Sequence, residues 1–306
     1  MNRREGLSSP SSDSAAGPGV GEVVVERDQP GQPHRGKVFA AVHAHIEDVP
    51  RYASGFCAKL IREGYTGYLI RTTNDEKGGG QTTAQNILSN EQEHLKVAAA
   101  IGCKDVFELY YQNHEMDAIS SLDIRGRLIF LFRFLKVDTV ISFNPGGPSD
   151  ANPDHWVTGR AVEEAAWMCG VPNDFHEHTE GGIQPHEVRE RYYFHARPGQ
   201  AFNRVVDIGA HIERKIAALV ECRSQGGNLG SQLRARLASE GKRLPLLGND
   251  DRTADREYVR QFLLDEEREY AKAHNLIFAE RFYYIDQRQL AKSKVDEYVE
   301  KNVVPL

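Results

Sequence analysis

The sequence predicts an α/β fold, a Rossmann-like and mostly parallel sheet flanked by helices with a helical C-terminal extension, and three observations carry that prediction. From residue 37 onward, short apolar runs alternate with stretches of helical periodicity, the pattern of a parallel sheet covered on both faces. The leading run, Val38-Phe39-Ala40-Ala41-Val42, is continuously apolar, as a strand buried on both sides must be. Glycines stand where the helical stretches should stop, at Gly64 and Gly102.

The elements follow in order. After the Val38–Val42 strand and Pro50, the residues Tyr52, Phe56 and Leu60, with Ala53, Cys57 and Ile61, fall at helical spacing. Thr66–Thr73 reads as the second strand. The loop Asn74–Gln81 contains Gly78-Gly79-Gly80; no Gly-Lys-Ser/Thr follows, so it reads as a flexible segment at a site mouth rather than a phosphate cradle. A helix over Ala84–Ile101, a strand over Val106–Tyr111, a helix marked by Leu122, Leu128, Phe132 and Leu135, and a strand over Val137–Phe143 come next. Trp156–Met168 is helical and Tyr192–Phe194 a later strand. Val206–Cys222 and Ala254–His274 read as helices. Residues 1–36, rich in Gly, Ser, Pro and charge, read as a disordered or loosely docked arm. Residues 37–226 form the catalytic α/β domain, and 227–306 a helical extension packed on it.

Composition narrows the function classes. The chain has 306 residues, 40% hydrophobic and 27% charged, with a formal net charge of -6 and a pI near 6.1. Without a basic excess it is not expected to bind nucleic acid. Four scattered cysteines with no Cys-x-x-Cys pair argue against a thiolate zinc site and against a disulfide framework. No apolar run approaches the roughly 18–20 residues of a membrane span, and Arg3-Arg4 is not followed by the apolar core of an export signal. A cytoplasmic location is the expectation.

In parallel sheets ligands bind where strands end at the carboxyl edge. Two polar segments fall there: Val42-His43-Ala44-His45-Ile46-Glu47-Asp48 after the first strand, and Asn152-Pro153-Asp154-His155 after the fourth. Two imidazoles and one carboxylate suffice to hold a catalytic zinc with a position left open for water, and His45, Asp48 and His155 can supply them. Glu47 lies beside that set as a general base for the water.

These segments resemble the motifs of the PIG-L/LmbE-type de-N-acetylases. Ala44-His45-Ile46-Glu47-Asp48-Val49 is similar to the family's strand followed by His-Pro-Asp-Asp-Glu, and Asn152-Pro153-Asp154-His155 to its His-Pro-Asp-His. Arg71-Thr72-Thr73-Asn74-Asp75-Glu76, Glu93 before Ala98–Gly102, and Val206-Asp207-Ile208 with Lys215 and Ser224-Gln225 keep the same order, so the resemblance spans about residues 37–226. It implies a Rossmann-like sheet, zinc (or iron(II)) on His45, Asp48 and His155, Glu47 as base, and Asp154 orienting a neighbouring group. It implies N-acylated amino-sugars or glycoconjugates as small-molecule substrates; a homo-oligomer stays open. Five departures stand out, of which two are Glu47, where the family usually has Asp, and Val49, where an acidic residue usually follows the aspartate. Ile46 replaces the usual proline, which predicts a looser turn. Asn152 replaces a histidine, leaving a donor for an oxyanion but no proton carrier. Asn90 stands where a substrate-binding arginine is common.

His43, Tyr192 and Arg197 are further substrate-contact candidates, although the last two sit where they equally finish a strand. Two other functions fit parts of the pattern. His43-Ala44-His45 is an HxH of the kind found in amidohydrolase barrels, which would draw on His176, His178 and His195, but eight β-α repeats are not present. With Asn152 in place, a metal-containing sugar-binding protein of low turnover is the non-enzymatic alternative. His176-Glu177-His178 reads as a polar surface loop rather than a second metal site.

Overall fold

The computed structural model describes residues 23–147, 149–287 and 294–305. The strands are β1 (Val24–Glu26), β2 (Val38–His43), β3 (Thr66–Thr73), β4 (Asp105–Tyr111), β5 (Thr139–Phe143), β6 (Glu190–Phe194), β7 (Arg204–Asp207) and β8 (Ala279–Asp286). The helices are α1 (Asp48–Tyr52), α2 (Ser54–Arg62), α3 (Thr83–Ile101), α4 (Ser121–Leu135), α5 (Pro153–Met168), α6 (His176–Glu180), α7 (Ile212–Glu221), α8 (Leu229–Ser239), α9 (Asp251–Phe262), α10 (Asp265–Lys272) and α11 (Lys294–Asn302). No helix among the described residues is long and apolar enough to cross a membrane.

The strands form one sheet in the order β1-β7-β8-β6-β5-β2-β3-β4. All pairings are parallel except those of β8 with β6 and β7. The predicted Rossmann-like α/β class is therefore observed. Successive residues of β2 serve opposite cores, since side chains alternate along a strand. Phe39 and Ala41 join Phe56, Leu60, Val97 and Ile216 from α2, α3 and α7. Ala40 and Val42 join Ile124, Leu128, Phe132 and Val162 from α4 and α5. Each fully buried large apolar side chain contributes about 1.5–3 kcal/mol, so both layers are fixed on the sheet.

Local signals set the helix ends. Thr82 and Gln85 form a capping box at the start of α3, and Gly102, at φ 101°, ends it in the left-handed region. At Gly159 in α5, a Cβ would lie 2.7 Å from the carbonyl oxygen of Phe143. Only glycine lets this helix sit so close to the end of β5.

Three expectations need correction. Val206 does not begin a helix: Arg204–Asp207 is a strand, and α7 starts only at Ile212. The tail beyond 226 is not only helical, because β8 inserts between β6 and β7; its charged Glu280 is buried and bonded by Lys215 and two backbone amides. Of the N-terminal arm, residues 24–26 pair with β7 as an edge strand, while 1–22 lie outside the described residues.

The sheet order places β2 between β3 and β5. The chain runs β2-β3-β4 to one side and resumes at β5 on the other. The crevice outside the carboxyl ends of β2 and β5 is thus the topological switch point, where such sheets bind ligands.

Candidate active site

Two loops meet in that crevice. After β2 the chain turns at once into α1. Asp48, at the start of that helix, closes the turn: its Oδ2 accepts the N–H groups of Ala44 (3.1 Å) and His45 (2.7 Å). The N–H of Ile46 donates to Asp75 Oδ2 at 2.8 Å. The turn is therefore not loosened by the isoleucine: a proline would have no N–H, and here that N–H is bound by a buried carboxylate.

After β5, Asn152 caps α5, its Oδ1 accepting the N–H of Asp154 at 3.0 Å, and Pro153 occupies the first turn, where a missing N–H costs nothing. The ring of His155 stacks on Phe143, with centroids 4.1 Å apart and planes 11° from parallel.

The result is a convergent donor set. His45 Nδ1 and His155 Nε2 are 3.1 Å apart. Asp48 Oδ2 is 3.6 Å from His45 Nδ1, and Asp48 Oδ1 is 3.6 Å from His155 Nε2. Ligands bonded tetrahedrally at about 2.0–2.1 Å stand roughly 3.3 Å from one another, so this triangle has the dimensions a zinc-sized cation needs. The three side chains are buried. The far nitrogen of each imidazole also meets a carboxylate: His45 Nε2 meets Asp154 Oδ2 at 3.1 Å, and His155 Nδ1 meets Asp150 Oδ2 at 3.0 Å. Such outer carboxylates orient metal-ligating histidines and raise their basicity.

The electrostatics point the same way. Burial alone would depress the His45 imidazole, but hydrogen bonds to Asp154 and Asp48 outweigh it and hold its pKa well above the ordinary value. Burial opposes the charged form of Asp48, yet His155 and His45 keep its carboxyl below the usual range. Glu47 lacks such partners. Burial, then the charges of Asp48 and Asp75, pushes its carboxyl up to about 8, and its Oε2 has no hydrogen-bond partner among the described residues. The pocket calls for positive charge, and a divalent cation would supply it.

The other expected site residues divide. Asp154 is buried on His45 Nε2 and also accepts the N–H groups of His114 (2.7 Å) and Met116 (3.4 Å). Asn152 keeps its Nδ2 3.5 Å from His155 Nε2. Arg197 reaches the rim through Asp150 (3.4 Å) and the hydroxyl of Tyr52 (3.0 Å).

Three substrate-contact expectations do not hold. Asn90 is fully buried; its Nδ2 donates to the carbonyls of Asp75 and Gly78, and its Oδ1 accepts from Ser224, so it braces two loops. Tyr192 lies two positions before the end of β6, in the core, with its hydroxyl on Glu26. His43 is fully buried between the carbonyl of His45 (2.7 Å) and His94 Nε2 (3.1 Å). That position also removes the barrel-type HxH reading, as does the open-ended sheet. Neither His176, His178 nor His195 belongs to a metal-ligating group among the described residues.

Asp150 and His114 escaped the sequence reading. His114 could form an alternative group with His45 and Asp154. The only available signal for Asp150 was an acidic residue five positions before His155 in a Gly/Pro-rich loop.

Fold and site together define a Rossmann-like α/β protein with a His-Asp-His centre at its switch point. Residues 40–166 match the family model described as PIG-L: GlcNAc-PI de-N-acetylase. The diacetylchitobiose deacetylase of Thermococcus kodakarensis is 23% identical over 193 residues, covering 62% of this chain and 70% of that protein. Among solved structures, the N,N'-diacetylchitobiose deacetylase of Pyrococcus horikoshii shares the fold with a TM-score of 0.66 at 19% identity, over 86% of this chain and 88% of that one. GalB of Pseudomonas putida, a 4-carboxy-2-hydroxymuconate hydratase, shares it with a TM-score of 0.59 at 18% identity, over 81% and 96%. The same fold thus serves different reactions, and function has to be argued from the site.

Proposed function

We propose that this protein is a metal-dependent amide hydrolase that removes an N-acyl group, in the first instance acetyl, from an amino-sugar-like substrate. The observation that carries the reading is the His45–Asp48–His155 triangle, with each imidazole backed by its own carboxylate. The family description as a de-N-acetylase and the relatives named as deacetylases supply the acyl group and the sugar.

His45, Asp48 and His155 would hold zinc, with iron(II) the alternative. When bound, such an ion supplies Lewis acidity toward the amide carbonyl and makes water a better nucleophile at neutral pH. Glu47 takes one proton from the attacking water as its oxygen bonds to the carbonyl carbon. It returns that proton to the nitrogen as the C–N bond breaks, so water and amide become carboxylic acid and amine, and the acid then yields its remaining proton to the amine to give carboxylate and ammonium. A carboxyl destabilised in its charged form is suited to this shuttle. Asn152 Nδ2 donates to the carbonyl oxygen as negative charge develops there. Asp154 and Asp150 hold the two imidazoles, and Arg197 holds Asp150.

The test is direct. Protein stripped of metal and reloaded with one equivalent of zinc should release acetate from N-acetylglucosamine or N,N'-diacetylchitobiose, and the stripped form should not. Tight zinc binding with no acetate released from any N-acetylated sugar would favour the low-turnover binding protein instead.

A further inference from the structure

A cavity of about 420 Å³ opens beside Glu47, and residues well outside the family-matched segment complete it. Phe262 and Leu263, at the end of α9, stand on one side and are about half exposed. Asp265, Glu266 and Glu267 of α10 follow. The lining carries four carboxylates, counting Glu47, against the single guanidinium of Arg51.

One of those carboxylates is out of balance. Lys215 is fully buried, and its ammonium meets three acceptors: the carbonyl of Arg51 at 2.5 Å, Glu280 Oε1 at 2.7 Å and Glu267 Oε1 at 3.0 Å. Glu280 is satisfied on both oxygens, since Gly55 N–H reaches Oε1 (3.1 Å) and Phe56 N–H reaches Oε2 (2.8 Å). Glu267 is only 6% exposed, and its Oε2 has no partner among the described residues. Two carboxylates thus share one ammonium, and the oxygen left over belongs to the residue that lines the cavity. A buried acceptor without a partner is destabilising. A ligand donor that reaches it recovers that cost, and a charged donor also offsets the surplus negative charge.

We propose that this cavity binds the sugar unit next to the N-acylated one and selects for a free ammonium on it, received by Glu267, with Phe262 and Leu263 packing against the ring's apolar face. The substrate class is then a partly deacetylated amino-sugar oligomer or another glycoside carrying a second, unacylated amine. The proposal rests on the hydrolase reading for its orientation, but its binding step does not require turnover.

Calorimetric titration with the full chain tests it. The probes are the β-1,4-linked glucosamine disaccharide, with both amines free, and N,N'-diacetylchitobiose, at a pH where the amines are protonated. The free-amine disaccharide should bind at least about tenfold more tightly, the scale of one charge-assisted hydrogen bond. Glu267→Gln should bring the ratio toward one. Because Glu267 also serves Lys215, Glu266→Gln and Phe262→Ala, at the solvent side, provide a second measurement, the first narrowing the ratio and the second weakening both ligands. Equal affinity of the unaltered protein for the two disaccharides overturns the proposal, as does a ratio untouched by Glu267→Gln in a folded protein. Glu267-dependent amine binding without acetate release would sink the hydrolase reading alone; acetate release with no amine preference would sink this one alone.

Discussion

His45 Nδ1 and His155 Nε2 lie 3.1 Å apart although 110 residues of chain separate them. Neither loop makes the site alone. The parallel pairing of β2 with β5 brings their carboxyl ends side by side, and the carboxylates of Asp154 and Asp150 turn the rings inward. This makes the outer pair testable. Asp150→Asn and Asp154→Asn should each weaken zinc affinity by about 10–100-fold while the ligands remain. Competition with a chromogenic chelator measures this; unchanged affinity in both variants would mean the ring orientations are set by packing alone.

Glu47 has no hydrogen-bond partner for its Oε2 among the described residues. Its replacement by Gln keeps the size and removes the proton acceptor. Turnover of an N-acetylated sugar should fall by about 10²–10⁴-fold, with one zinc still bound by elemental analysis. Loss of the metal together with the activity would reassign Glu47 from proton transfer to assembly of the centre.

Much of this was legible from residue order. The apolar run Val38–Val42 had to be a central strand, and a histidine and an aspartate just beyond it had to lie at the sheet's carboxyl edge. What escaped was whatever depended on pairing across the chain. β8 carries Glu280 and Arg281 within its first three residues, which hides a strand unless Lys215 is known to wait opposite. Val205 and Val206 are equally apolar as strand or helix start. Tyr192 reads in sequence as a substrate contact or a strand end and Asn90 as standing in for a substrate-binding arginine, yet each spends its polar groups inside the protein, on Glu26 and on two loops. Asp150 sits in a loop without periodicity, so only geometry reveals its role.

Gly159 holds α5 against β5, and α5 carries His155 in its first turn. Gly159→Ala would set a methyl 2.7 Å from the Phe143 carbonyl oxygen. Overpacking of this kind costs about 1–3 kcal/mol, partly offset by the better helix propensity of alanine. The urea midpoint should drop with an unchanged slope, and zinc affinity should fall with it because the displaced helix carries His155, a proposed ligand. A midpoint equal to that of the unaltered protein would show that the helix can shift freely.

His195 gives a pH signature away from the centre. It packs against Phe202 and Tyr270, with Nδ1 3.3 Å from the Tyr270 hydroxyl. Burial first, then the charge of Arg281, pushes its pKa down to about 4, against about 6.5 when unfolded. Between those values the unfolded chain binds the extra proton. Stability from this group is therefore intact above about pH 6.5 and is lost as the pH falls toward 4, by about 2–3 kcal/mol in all. His195→Gln should flatten that fall in urea titrations across the window. An identical decline in the variant would assign the acid sensitivity to other groups.

Asp75 and Ile46 form a pair that a proline at position 46 would not allow. Asp75 is fully buried, accepts the N–H of Ile46 at 2.8 Å on Oδ2 and the amide of Asn113 at 3.0 Å on Oδ1, and stands 3.5 Å from Arg71. Asp75→Ala strands the Ile46 N–H between His45 and Asp48, and a buried donor left alone costs about 1–3 kcal/mol. Zinc affinity should drop at least about tenfold as the turn relaxes. Ile46→Pro removes that donor altogether, so in the Asp75→Ala background it should restore part of the affinity, whereas in the unaltered protein it should bring no gain. Calorimetric zinc titration of the two single variants and the double gives the coupling between the positions. Strictly additive losses would show that Asp75 acts through Arg71 or Asn113 and not through the turn that carries the ligands.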